Sequence, residues 1–463
     1  MPNSERSARI AQSLGARIRG EVVVPTDAAY DQARQAWNLY ADQRPAFVVF
    51  PENADDVVAV VEYARENSLR IAPQGTGHNA LPLAWDANTI LLSTARMRGV
   101  VIDVPARRAR VAAGTLWLDV TAPASEHGLA PLAGSSPDVG VVGYCLGGGV
   151  SWLARTHGLA ANSVLAIELV TADGRLRRVD AEHDADLFWA LRGGGGSFGI
   201  VTAMEIALHP VPDLYAGAMF WPIERSSEVL HAWREWTRTA PDAVTSSARI
   251  LRLPALPDIP EFLRGRAFVT IDAAVLGTRA FGAEVVQALR DLGPEIDTFD
   301  VVEPVALSRL HGDPEHPVPG MAEHRLLAEL PPAAIDAFVA AAGPESGSTL
   351  LAAEIRHLGG ALGVATPGHG AIAKLDGAYM AFGVGIAGSP EMIAALESSL
   401  SIFKAALASW DAGRGYLNFQ ESEADSRLFY DEVTHRRLAR IKAHVDPRNM
   451  FRSNHPIEPA RGA

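Results

Sequence analysis

Residues 187–207 read "LFWALRGGGGSFGIVTAMEIA", and the order of elements around that glycine run decides the fold. The segment before it reads as a helix and the segment after it as a strand. Within the run, 194–199 match G-x-G-x-x-G and 195–199 match G-x-S-x-G. Both motifs need the opposite order, strand then loop then helix. Only then does a pyrophosphate sit on a helix N-terminus, or a serine stand on a sharp turn above a sheet. A Rossmann fold and a Ser197 nucleophile are therefore set aside. No G-x-x-x-x-G-K-[ST] and no H-E-x-x-H occurs in the chain. "HGDPEHP" at 311–317 reads as a proline-rich surface loop, and the spacing of His311 and His316 carries no metal-ligand meaning.

Working outward, two more glycine loops precede this one: "APQGTGHNA" at 72–80 and "GSSPDVGVVGYCLGGG" at 134–149. Glycine loops expose backbone N–H groups and let a phosphate approach closely. Each alone also reads as a tight turn. Three together imply a large, extended, anionic ligand held mostly by main chain. A dinucleotide bound outside the Rossmann geometry fits that description.

The surroundings alternate helix and strand up to about residue 210. "NADDVVAVVEYARENSL" carries Val57, Val58, Val61 and Ala64 at helical spacing behind an Asn53 cap. "RIAP", "TILLS", "GVVIDV" and "RARVAAG" read as strands, and "TLWLDVTAPASEHGL" as a helix closed by Gly128. "VLAIELVTADGRLRRVD" reads as two strands around Asp173-Gly174. After "HPVPDL" the chain changes to long strand and helix signals with few chemical motifs. This sets domain boundaries at 1–210, with a core of about 42–211, at 211–414, and at 415–463, where polar and aromatic density returns.

With 463 residues, two domains are expected. The chain is 48 % hydrophobic and 21 % charged, with 54 acidic against 41 basic side chains and a net charge of −13. That balance argues against nucleic acid or an anionic membrane as partner. Cys145 is the only cysteine, which excludes an internal disulfide and a multi-cysteine metal site. No metal is expected. No apolar run has the length of a membrane span, and the N-terminus lacks a signal-peptide core. A reducing, cytoplasmic setting follows as an expectation.

The three glycine loops, in this order, with the C-terminal "YLNF" and "DPRNMFRSNHPI", resemble the berberine-bridge-enzyme-like FAD-linked oxidases of the vanillyl-alcohol-oxidase (PCMH-type) superfamily. The resemblance covers nearly the whole chain, and bacterial members are nearest in style. It implies an α+β, two-domain fold. A discontinuous FAD domain would be completed by 415–463, and the substrate domain would be an antiparallel sheet covered by helices. It implies FAD attached through a ring nitrogen of His78, with Gly75, Thr76, Gly77 and Asn79 around it. Neutral imidazole is nucleophilic near pH 7. Relatives with a second link carry a cysteine where Ser136 stands, so a single link is expected.

The resemblance further places Ser135, Val139, Gly140, Gly143, Gly147 and Gly148 at the pyrophosphate. Tyr144 replaces a family histidine, and Cys145 borders the face where oxygen arrives, or is simply a small buried residue. Gly158, Leu159, Asn162 and Val164 fall along the adenosine half. Gly199, Ile200 and Val201 lie beside the ribityl chain or adenine, and Asn454 beside the ring system.

Tyr416 is the expected base, its ordinary pKa near 10 needing to be lowered or partnered. On "TLLAAEIRHLGGAL", Glu354 is a base, a cation site, or the partner of a neighbouring arginine. His357, Tyr379, Phe382 and Asn418 are further pocket candidates. The implied reaction takes a hydride from an alcohol or amine carbon of a small natural-product-like substrate, and O2 reoxidises the flavin to give H2O2. A dehydrogenase or oxidative cyclase of the same fold, and a non-catalytic flavin-binding protein, are the alternatives. A homodimer is compatible with the resemblance.

Overall fold

Three large sheets organise the described residues, beside a two-stranded ribbon of Leu129–Ala130 and His209–Pro210, and each large sheet forms where the sequence alternates or concentrates β-branched residues. The computed structural model describes residues 3–460 apart from 258 and 260. The first sheet has four strands in the order Glu21–Val23, Phe47–Phe50, Thr89–Ser93, Arg70–Gln74. Its last three strands run parallel. Parallel neighbours need a crossover, and the helix Ala54–Glu66 supplies one, with the Asn53 side chain accepting from the Asp56 N–H. Val57, Val60, Val61 and Ala64 of that helix are fully buried, whereas Val58 is only partly covered.

The second sheet is antiparallel, in the order Val100–Asp103, Arg108–Ala112, Ile200–Ala207, Val164–Val170, Leu176–Asp180. Its central strand is the one that follows the third glycine loop. The helix before that loop is Ala185–Leu191, so helix, loop and strand occur in the order that excludes the Rossmann turn. Ser197 is fully buried; its hydroxyl bonds Ser453 Oγ at 2.8 Å and accepts from the Ile457 N–H. It has a structural partner set and no exposure.

The third sheet has eight strands, in the order Ile296–Asp297, Leu214–Pro222, Ala267–Leu276, Val244–Arg252, Ala352–His357, Tyr379–Ile386, Gly320–Leu327, with Asp300–Val301 also on Leu214–Pro222. All its pairings are antiparallel. Side chains alternate between its faces. One face buries Trp221, Ile250, Ile355 and Ala381 against the helices Ser226–Thr237, Arg279–Arg290, Pro332–Ala342 and Pro390–Ala406. Trp233, Phe338 and Phe403 fill that layer at 1 % exposure or less; truncating any of them to alanine costs about 3–5 kcal/mol. The opposite face carries Thr270, Asp272, Ser247, Arg249, Glu354, Arg356 and Phe382, and it turns toward the glycine loops.

The C-terminal stretch returns to the first two sheets. Helix Glu432–Val445 packs on Ala185–Leu191. Beyond it, the Ile71 N–H donates to Met450 O, and the Arg452 N–H donates to Ile71 O. Asp446 sets the intervening turn by accepting from the Met450 and Phe451 N–H groups. Lys442, without solvent exposure, clasps Asp446 Oδ2 at 2.5 Å and Ser197 O at 2.7 Å. The "DPRNMF" signature therefore locks the C-terminus onto the third glycine loop. No helix among the described residues is long and apolar enough to cross a membrane.

Candidate active site

The three glycine loops meet. Gly195 N–H donates to Leu146 O, and a side chain on Gly140 would meet Thr76. Gly77 takes φ +84°, a left-handed conformation that favours glycine. That turn delivers His78. Its ring stacks on Trp37 with centroids 3.9 Å apart, and its Nε2 lies 3.4 Å from Asp138 Oδ1. Trp37 Nε1 donates to the other Asp138 oxygen at 2.5 Å, and Ser136 Oγ donates to Oδ1 at 3.2 Å. Burial alone raises the Asp138 pKa, but His78, Trp37 and Ser136 outweigh it and hold the carboxyl below its ordinary value. An ionised carboxylate therefore faces one ring nitrogen and leaves the other free. Trp37 and Asp138 escaped the sequence reading. Asp138 had a signal, standing two residues from Ser136; Trp37 had none.

The second loop and the C-terminal segment build the other wall. Gly148, at φ +123°, lets the Tyr416 ring approach; a side chain there would come within 3.1 Å of it. Asn418 Nδ2 donates to Tyr144 O, and Asn79 Nδ2 to Leu417 O. Asn454 bonds Asn79 O. Asn79, Asn418 and Asn454 thus join the C-terminal segment to the first two loops. His324 Nε2 accepts from the Tyr416 N–H; burial lowers its pKa to about 3, which keeps the ring neutral for that role.

The hydroxyls of Tyr416 and Tyr144 are both buried and make no hydrogen bond. Burial pushes both phenols above their ordinary value, only partly offset by Arg356. Tyr416 is therefore protonated at neutral pH, and the expected lowering toward a base is not found. Cys145 is buried beside them, its thiol pushed up by the same cause.

Glu354 is an ion-paired carboxylate. It bonds Arg356 Nε and, at 2.7 Å, His311 Nε2. Burial opposes its charge, but Arg356 and His311 hold it far below the usual carboxylate range. His311 Nδ1 lies 3.4 Å from Asp272, which Arg249 Nε approaches at 2.6 Å. The surface-loop reading of His311 is corrected: it is buried because it closes this chain of charges, while His316 is exposed. Phe382 also faces inward, edge-on to Phe419, which stacks on Tyr416.

His357 and Tyr379 do not join the site. Both point to the helix-covered face, stacked on each other, with Tyr379 Oη bonded to Thr237 and His357 to Arg155. His357 is three positions from Glu354 and Tyr379 three from Phe382, an odd step that strand alternation turns to the opposite face.

Of the cofactor candidates, Gly75 and Gly143 are exposed, and a side chain on either would meet no protein atom. Their backbone is free to face a ligand. Ser135 Oγ donates to Asp313, and Val139 O accepts from the Trp117 N–H. Gly158 to Val164 pack under the second loop, where the Ala160 and Ala161 N–H groups bond Gly149 O and Gly148 O. Leu159 and Val164 are buried in the core there, and Asn162 Oδ1 accepts from the Gly370 N–H. A side chain on Gly199 would strike Leu169, and the Ile200 and Val201 side chains are spent in two cores, leaving only their main chain for a ligand. Among the described residues no cluster of three His, Cys, Asp or Glu could hold a metal.

This site, a glycine cradle with an anchored histidine beneath a polar sheet face, is that of an FAD-linked oxidoreductase. Residues 45–180 match the FAD binding domain family model, and residues 415–458 match the model for berberine and berberine-like proteins. The (R)-6-hydroxynicotine oxidase of Paenarthrobacter nicotinovorans is 30 % identical over 481 residues, covering 98 % of this chain and 99 % of that protein. The chain belongs to the berberine-bridge-enzyme-like FAD-linked oxidases and has their PCMH-type α+β fold. The crystal structure of 6-hydroxy-D-nicotine oxidase from Arthrobacter nicotinovorans superposes with a TM-score of 0.83 at 26 % identity, covering 96 % of this chain and 98 % of that one. The wild-type Physcomitrella patens BBE-like 1 protein shares the fold, with a TM-score of 0.85 at 21 % identity over 97 % of this chain and 99 % of that one.

Proposed function

We propose that the protein is an FAD-dependent oxidase that takes a hydride from a carbon bearing an alcohol or amine in a small natural-product-like substrate. The observation that supports this best is the immobilised imidazole of His78, stacked on Trp37 and faced by the Asp138 carboxylate. His78 serves as a single covalent tether to the flavin. Ser136, engaged with Asp138, supplies no second link.

Held by His78 and the glycine loops, FAD would supply a hydride acceptor whose electrons O2 could take up as H2O2. Around it the chain binds and orients. The glycine loops offer main-chain N–H groups to the pyrophosphate. Asp138 and Trp37 hold the imidazole plane. The neutral Tyr416 hydroxyl, with Tyr144 beside it, holds the substrate O–H or N–H. A phenol in that state is a weak base, so an amine substrate reacts in its uncharged form. Glu354 fixes Arg356 and is not the proton acceptor. Residues 1–210 and 415–463 carry the cofactor, and 211–414 carry the substrate roof.

The test is acid denaturation and washing, then flavin absorbance and the mass of the tryptic peptide that carries it. Flavin on the His78 peptide alone, with peroxide released during turnover, is the expected result. Flavin washed away entirely overturns the tether, and substrate bleaching that air cannot reverse overturns the oxidase.

A further inference from the structure

The inner face of the eight-stranded sheet holds more than a roof. Arg356 uses Nε on Glu354 and leaves both Nη groups without a hydrogen bond. Its guanidinium lies 4.9 Å from the centre of the Phe419 ring, which also stacks on Tyr416. A small cavity of about 20 Å³ opens beside it, bounded by Ser135, Trp152, Ser247, Arg356 and His357. Trp152 is 7 % exposed and Ser247 is 1 % exposed, yet Trp152 Nε1 and Ser247 Oγ are both buried without a partner. Indole N–H and guanidinium are donors only, and a serine hydroxyl donates as readily as it accepts. Leaving such groups unmet in the interior is costly.

Each carboxylate near them already faces cationic or donor groups. Glu354 is shared by Arg356 and His311, Asp272 by Arg249 and His311, and Asp313 accepts from Ser135.

We propose that this cavity is the substrate's anion subsite: the substrate carries a carboxylate, or an equally acceptor-rich planar oxyanion, received by Arg356, Trp152 and Ser247. The inference rests on the oxidase reading above, since it places the subsite beside Tyr416. Arginine suits it because its two free Nη groups match the two oxygens of a carboxylate. The Glu354–His311 pair then has a role, holding the guanidinium in one orientation.

The test uses the flavin-loaded protein, with benzoate and its neutral isostere benzamide as probes, followed by the perturbation of the visible flavin spectrum. Benzoate is expected to bind about tenfold more tightly or better. Arg356→Gln abolishes the preference with benzamide binding retained, Arg356→Lys restores part of it, and Trp152→Phe, which leaves the ion pairs intact, weakens benzoate alone. Equal binding of the two probes, or a preference that survives Arg356→Gln, overturns the subsite. Purified protein that takes up no flavin at all shows instead that the underlying oxidase reading fails, and the subsite falls with it.

Discussion

Replacing Asp138 by asparagine keeps the shape of the side chain and removes its charge. The carboxylate faces His78 Nε2 at 3.4 Å and holds Trp37 Nε1 at 2.5 Å. A hydrogen bond to a charged group contributes roughly 1.5–3 kcal/mol. The His78 contact falls short of hydrogen-bond geometry, and the two side chains keep 21 % and 18 % exposure, so the contribution falls just below that range, about 1.4 kcal/mol. That is a factor of about ten in the rate at which the imidazole attacks. The assay reconstitutes flavin-free protein with FAD and follows acid-stable flavin with time, with His78→Ala as the zero. Asp138→Asn is expected to reach the same end point about tenfold more slowly, with an unchanged melting temperature before FAD is added. Attachment at the wild-type rate refutes the reasoning, because the charge would then do nothing for the ring.

Three further outcomes follow from buried groups. Burial, aided by Glu323, pushes Glu421 up to about 8 from an ordinary 4.5. The folded state therefore holds a proton that the unfolded state has lost, and this contribution is complete below about pH 4.5 and vanishes as pH rises through 8. Glu421→Gln should raise the melting temperature most at pH 9, less at pH 6, and least at pH 4. Lys442→Met strands Asp446 as a buried charge and should cost about 3–5 kcal/mol in denaturant unfolding; a loss under about 1 kcal/mol contradicts the clasp. Cys145 is 1 % exposed and its thiol is pushed up by burial, so Ellman's reagent should titrate no thiol in the native protein and one in concentrated guanidinium.

What the sequence disclosed was local, and what it withheld was a matter of pairing across distance. The Asn53 cap, the Asp173-Gly174 turn and the helix–loop–strand order at 185–207 are set by residues within one or two turns of each other. They were legible because no tertiary partner decides them. The substrate strand was legible as a strand for the same reason. Its facing was not, although parity constrains it: Glu354 and His357 cannot share a face, nor can Tyr379 and Phe382. Which member of each pair looks inward depends on where Trp233, Phe338 and Phe403 build the helix layer, and these lie up to about 150 residues away along the chain.

The charges follow the same logic. Glu354 was recognisable as a candidate partner of an arginine, because Arg356 is its neighbour on the strand. His311, 43 residues away, was not, and a surface loop was the natural reading of its prolines. Its burial changes the chemistry expected of Glu354 from proton acceptor to anchor. With the carboxylate neutralised from two sides, the polarity that the sheet presents to the flavin is set by the free edge of Arg356.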